Sequence, residues 1–169
     1  KDVDSMTEKS LTSVFTGNGD GFAPCTAQAC IEILDYYDIP IEGKNVVVVG
    51  RSLVIGKPVA MMLLGRNATV TIAHSRTKNL PEITKRADIV IACVGRAQML
   101  DGSYFSAGQT VIDVGINFND EGKMVGDVNF DEAAEIVDAI TPVPRGVGSV
   151  TTSVLCKHVV EAADAAKGK

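Results

Sequence analysis

Apolar residues come in two patterns along this chain. The runs VVVV (46–49) and IVIACV (89–94) are continuously apolar, whereas the stretches between such runs carry apolar residues at helical spacing. A strand that is apolar without alternation is buried on both faces. The pattern predicts strands at 45–49, 68–73, 88–94, 109–114 and 139–142. It predicts helices at 26–37, with Ile31, Ile33 and Leu34 along an apolar face, and at 57–66, where Pro58 stands in a first turn that tolerates proline. Further helices are predicted at 79–87, with Asn79 as N-cap and Pro81 behind it, and at 130–137 and 150–167. Strands alternating with helices imply βαβ units. The expected fold is therefore α/β: a Rossmann-like, doubly wound, mostly parallel sheet with helices on both faces. Asn119–Gly122 predicts a turn between two short extended pieces. Residues 1–20 and 164–169 read as the loosest parts.

The first strand runs into Gly50-Arg51-Ser52, and a second glycine follows in Gly56-Lys57-Pro58. A triphosphate-binding P-loop needs four residues between its glycines and a Ser or Thr after the lysine. Here five residues intervene and Pro58 occupies the hydroxyl position, so that loop is excluded. The dinucleotide fingerprint GxGxxG is broken as well, by Ser52 and a displaced third glycine, yet its strand–glycine–helix order survives. In NAD-binding folds an acidic residue about 20 positions on takes the ribose hydroxyl. The second strand instead ends in His74-Ser75-Arg76-Thr77, whose basic and hydroxyl groups suit a 2′-phosphate. Ligands collect at the carboxyl ends of strands in such sheets, and Gly95 and Gly115 stand at two further ends, next to Gly50's. The residues thus favour NADP over NAD.

Composition narrows the picture. At 169 residues and 46% hydrophobic, the chain can bury a core. A net charge of −5 argues against a general nucleic-acid binder, and no apolar run approaches the roughly 20 residues of a membrane span. The four cysteines lack CxxC spacing and only two histidines are present, so no metal site is expected and reduced thiols in a cytoplasmic protein are. The chain opens on Lys1, within KDVDSMTEKSLTSV, which reads like the interior of a longer protein.

The segments PCTAQA (24–29), VVVVGRSLVIGKP (46–58), ATVTIAHSRT (68–77), ADIVIACVGR (87–96), VIDVGIN (111–117), VGDV (125–128) and ITPVPRGVGSVT (140–151) together resemble one family. It is the bifunctional methylenetetrahydrofolate dehydrogenase/cyclohydrolase family, of the bacterial FolD type. The resemblance implies that Gly50, Arg51, Ser52, Ser75, Arg76, Gly95 and Ile116 bind NADP, with Thr26 and Thr151 beside the nicotinamide. It implies that Asp4 contacts the pterin and that the 142–148 loop, including Pro144 and Gly146, lines the folate pocket. The implied reaction is NADP-dependent oxidation of 5,10-methylenetetrahydrofolate, followed by hydrolysis to 10-formyltetrahydrofolate, in a homodimer. The family's catalytic lysine lies in a Tyr-x-x-x-Lys motif, and none of Tyr36, Tyr37 or Tyr104 has Lys four residues on. No catalytic residue is therefore expected here. Residues 1–25 read as a folate-site linker from a preceding catalytic domain, 26–149 as the NADP-binding domain and 150–169 as a helix returning to the preceding domain. Two departures stand out: Ser5 and Arg145, each where the family usually has glycine. The alternative reading is a non-catalytic dinucleotide-sensing module, which leaves KDVD and TPVP unexplained.

Overall fold

The computed structural model describes residues 2–19 and 21–167; Lys1, Asp20, Gly168 and Lys169 lie outside the described residues. Its elements run α1 (Glu8–Thr16), α2 (Cys25–Tyr36), β1 (Asn45–Val49), α3 (Gly56–Gly65), β2 (Thr69–Ala73), α4 (Leu80–Lys85) and β3 (Ile89–Ala92). They continue with β4 (Thr110–Asp113), β5 (Asn117–Phe118), β6 (Met124–Val125), α5 (Phe130–Ala134), β7 (Ala139–Ile140) and α6 (Val147–Lys167). Five strands form one sheet in the order β2-β1-β3-β4-β7, every pair parallel.

Side chains alternate across this sheet and divide the core in two. Val46, Val48, Ile89, Ile91 and Ile112 pack with α2, α3 and α6, while Val47, Val49, Val90, Ala92 and Val111 pack with α4, α5 and their loops. The apolar runs are continuous because each sheet face meets its own helical layer. The expected turn at Asn119–Gly122 joins β5 and β6 as an antiparallel hairpin.

Several boundaries differ from expectation for identifiable reasons. β3 stops at Ala92 because the Val94 N–H turns to the Asp127 carboxylate. Asn79 does not cap α4 with its side chain; its backbone is left-handed (φ 54°). Helix α6 begins three residues earlier than position 150, at Val147. The N-terminal stretch contains α1, capped by Thr7 and stapled by Asp2, whose carboxylate accepts from the Met6 and Thr7 amides and the Thr7 and Ser10 hydroxyls. Those bonds hold the Asp2 carboxyl well below the usual carboxylate range, the Ser10 and Thr7 hydroxyls contributing most.

Candidate dinucleotide and folate site

Parallel register brings the strand ends level. Val49 pairs with Ala73 on one side and Ala92 on the other, and Ala92 pairs with Asp113. The loops after β1, β2, β3 and β4 therefore leave one edge of the sheet side by side, with the reversal of strand order between β1 and β3. Ligand crevices form at such reversals.

Gly50 has φ 142° there, and an added Cβ would run into the carbonyl and Sγ of Cys93, just beyond the end of β3. At Gly56 a Cβ would come within 2.5 Å of the Gly50 carbonyl oxygen, so α3 approaches the end of β1 too closely for any side chain. Gly56 does for helix–strand packing what the third fingerprint glycine does elsewhere. The amides at the start of α3 are engaged within the loop. Ile55 and Gly56 donate to Ser52 Oγ, and Lys57 donates to the Ser52 carbonyl. The Ser52 hydroxyl hydrogen stays free to donate.

The turn after β2 is braced by His74, whose Nδ1 accepts from the Arg76 amide at 3.2 Å, and by Thr77 Oγ1, which accepts from the His74 amide at 2.8 Å. Ser75 and Arg76 are left exposed, as are Arg51 and Ser52. Neither Arg51 nor Arg76 has an ion-pair or hydrogen-bond partner for its guanidinium among the described residues.

Two buried carboxylates organise the next loops. Asp127, 0% exposed, accepts from the Val94, Gly95 and Arg96 amides (2.6, 3.0 and 2.9 Å) and from Asn117 Nδ2 (2.9 Å). Asp113 accepts from the Gly115, Asp127 and Val128 amides at 2.9, 3.0 and 2.9 Å. Burial pushes the Asp113 carboxyl up to about 6, against the pull of those amides and with the help of the Asp127 charge. A Cβ at Gly115 would strike Asp127, and one at Gly126 would strike Asp113, so both glycines make room for the carboxylates. A cleft of about 280 Å³ opens beside this framework, lined by Gly115, Ile116, Pro144, Arg145, Gly146 and neighbours. Gly146 is confined by the Pro142 carbonyl, and the Val143–Pro144 peptide is cis.

A model of the NAD(P)-binding domain of tetrahydrofolate dehydrogenase/cyclohydrolase matches residues 24–167. The chain belongs to the tetrahydrofolate dehydrogenase/cyclohydrolase family. Bifunctional protein FolD of Carboxydothermus hydrogenoformans is 59% identical over 170 residues, which is 99% of this chain and 59% of that protein. Bifunctional protein FolD of Clostridium botulinum is 56% identical over 164 residues, 97% of this chain and 58% of that one. Among solved structures, the Campylobacter jejuni FolD enzyme superposes with a TM-score of 0.94 at 40% identity, covering 97% of this chain and 58% of that chain. The Trypanosoma brucei FolD, complexed with NADP cofactor and inhibitor, gives 0.88 at 37% identity, covering 95% of this chain and 57% of that one. The chain spans about three fifths of the length of these relatives.

Against this tetrahydrofolate dehydrogenase/cyclohydrolase background, the residues singled out in the sequence fall into two groups. Gly50, Arg51, Ser52, Ser75, Arg76, Gly95 and Ile116 lie in the loops at one sheet edge, but only Ile116 joins Pro144 and Gly146 in the 280 Å³ cleft. Thr26 lies in the first turn of α2 and Thr151 in the second turn of α6, helices that pack on each other. The Thr151 hydroxyl donates back to the Val147 carbonyl. Asp4 has one carboxylate oxygen accepting the Cys25 amide at 2.8 Å, at the start of α2.

Both departures from the family's glycines have left-handed backbones, Ser5 at φ 54° and Arg145 at φ 76°. The fold keeps a glycine conformation at each and carries a side chain on it. Asp113 and Asp127 were not picked out from the sequence as site residues. The available signal was a pair of Gly–Asp juxtapositions, in VIDVG and VGDV, that the steric argument now explains. No helix among the described residues is long and apolar enough to cross a membrane.

Proposed function

We propose that this chain is the NADP-binding part of a methylenetetrahydrofolate dehydrogenase/cyclohydrolase. The full-length protein would oxidise 5,10-methylenetetrahydrofolate to 5,10-methenyltetrahydrofolate and hydrolyse that product to 10-formyltetrahydrofolate. One observation carries the cofactor half: two unpartnered guanidiniums, Arg51 and Arg76, follow adjacent parallel strands, with no carboxylate between Ala73 and Asn79. That fits a phosphorylated ribose and disfavours an unphosphorylated one. Gly50 belongs to the same proposal as the tight turn that leads from β1 to those side chains, the space a Cβ would take there being filled by Cys93.

When bound, NADP+ accepts the hydride that leaves the one-carbon bridge of the folate. In this reading Arg51, Ser52, Ser75 and Arg76 hold its phosphates and ribose, and Gly95, Ile116, Thr26 and Thr151 surround the nicotinamide. Asp4, Pro144 and Gly146 position the folate. These residues orient two rings and exclude water, and the lysine chemistry is assigned to residues outside this chain. The division into a 1–25 linker, a 26–149 cofactor domain and a 150–169 returning helix belongs to the same proposal. So does a cytoplasmic homodimer, supported by four unpaired cysteines and by exposed apolar side chains such as Phe15 and Leu53.

Calorimetric titration of NADP+ and NAD+ into wild type and Arg76→Ala tests the cofactor half. NADP+ binding is expected to weaken roughly tenfold to a hundredfold while NAD+ binding stays nearly level. Equal losses would show that Arg76 does not read the 2′-phosphate. For the folate half, a folate analogue is titrated into the full-length protein with NADP+ present, and absence of binding would sink it.

A further inference from the structure

Arg145 holds a left-handed backbone (φ 76°) that L side chains rarely adopt, at the tip of the loop between β7 and α6. A non-glycine residue kept there stores strain. Its guanidinium is exposed and has no acceptor among the described residues. The residue lines two spaces at once, the 280 Å³ cleft beside Ile116 and a larger groove of about 690 Å³ that runs past β7 under Ile33, Ile140 and Val150. In the smaller cleft the lone carboxylate is Asp113, 3% exposed and bonded to three backbone amides, so Arg145 is the one charge there without a partner. The loop cannot swing freely, because Gly146 is closed in by the Pro142 carbonyl.

Position decides which anion this is. In the strand order β2-β1-β3-β4-β7, Arg145 follows the last strand and Arg76 the first, and four interstrand spacings set those two strands roughly 19 Å apart. The anionic groups of a dinucleotide belong with Arg51 and Arg76 at the far end. The partner of Arg145 is therefore part of a second ligand, whose body occupies the cleft beside Ile116.

We propose that Arg145 is a specificity-determining residue that binds the carboxylate-bearing glutamyl end of the folate. This rests on the folate reading given above. The guanidinium donates hydrogen bonds to a carboxylate, preferably as a fork. A chain carrying glycine at this position has no such donor.

The test measures dissociation constants of the full-length protein, with NADP+ present, for tetrahydropteroate, tetrahydrofolate monoglutamate and the triglutamate. Wild type, Arg145→Lys and Arg145→Gly are compared. Wild type is expected to prefer the glutamyl forms over the pteroate by about tenfold or more. Arg145→Gly should reduce that preference to about twofold or less, and Arg145→Lys should keep part of it, as a point charge without the fork. NADP+ affinity should not change in either variant, which also reports that each is folded. A glutamyl preference of equal size in wild type and Arg145→Gly would overturn the assignment and leave the folate reading standing. Failure of wild type to bind any of the three ligands would overturn both.

Discussion

Replacing Ser5 with glycine should make the protein more stable, against the usual direction of a core substitution. Ser5 is 1% exposed, its φ is 54°, and its hydroxyl finds no hydrogen-bond partner among the described residues. A left-handed backbone costs an L residue about 1–2 kcal/mol. A buried hydroxyl without a partner costs about 1–3 kcal/mol more. Glycine removes both terms and returns roughly 0.5–1 kcal/mol through the greater freedom of the unfolded chain. Because the terms share one site and do not add fully, the expected gain is about 1–3 kcal/mol. In a chain of 169 residues each kcal/mol moves the melting temperature by about 2–4 °C. Thermal and urea unfolding of Ser5→Gly and Ser5→Ala separate the contributions, since alanine loses the hydroxyl but keeps the strain. The expected order of stability is glycine, then alanine, then wild type. If Ser5→Gly melts at or below wild type, the strain argument is wrong, and it loses force for Arg145 as well.

Gly50→Ala should destabilise by at least about 2 kcal/mol, since its Cβ meets the Cys93 carbonyl as well as the thiol. Adding Cys93→Ala should not rescue it, because the backbone oxygen remains; rescue in a denaturant melt would place the clash on the sulfur alone. Asp113 gives a pH signature. With its native carboxyl near 6, above the ordinary 3.8, the folded state binds more protons than the unfolded state between about pH 4 and 6. Its contribution to stability therefore falls as pH rises through that window and is least above pH 6. Carbon-detected NMR of the carboxyl should give a midpoint near 6, and a midpoint below 4 would refute the burial argument.

The central sheet was legible because two-sided burial leaves a strong mark: VVVV and IVIACV have no polar position to alternate with. Helix α1 was not. Its buried face carries Ser10 and Ser13, and the Asp2 carboxylate holds its first turn. Its apolar side is only Leu11, Val14 and Phe15, too short a stripe to mark a helix before its cap is known. The glycine turn after β1 was legible in outline only. Gly50 and Gly56 both matter sterically, but the helix amides close on Ser52, a bond between residues three and four apart that composition does not betray. Asp113 and Asp127 were hard to see for another reason: apart from the Asn117 amide their partners are backbone N–H groups, so no charged residue in the sequence announces them.

The Asp127 carboxylate grips the loop after β3 through amide hydrogens, which every residue except proline possesses. The exposed side chain of Arg96 is accordingly a spectator to the framework that shapes its loop, whereas Val94 also packs on the core. Arg96 can be exchanged without rebuilding the scaffold, so the chemistry of this edge can change while the architecture holds still. Position 126 has no such latitude, because any side chain there would strike Asp113 and disturb the brace. Tolerance of substitution in the loop after β3 and intolerance beneath it are two consequences of one buried pair of carboxylates.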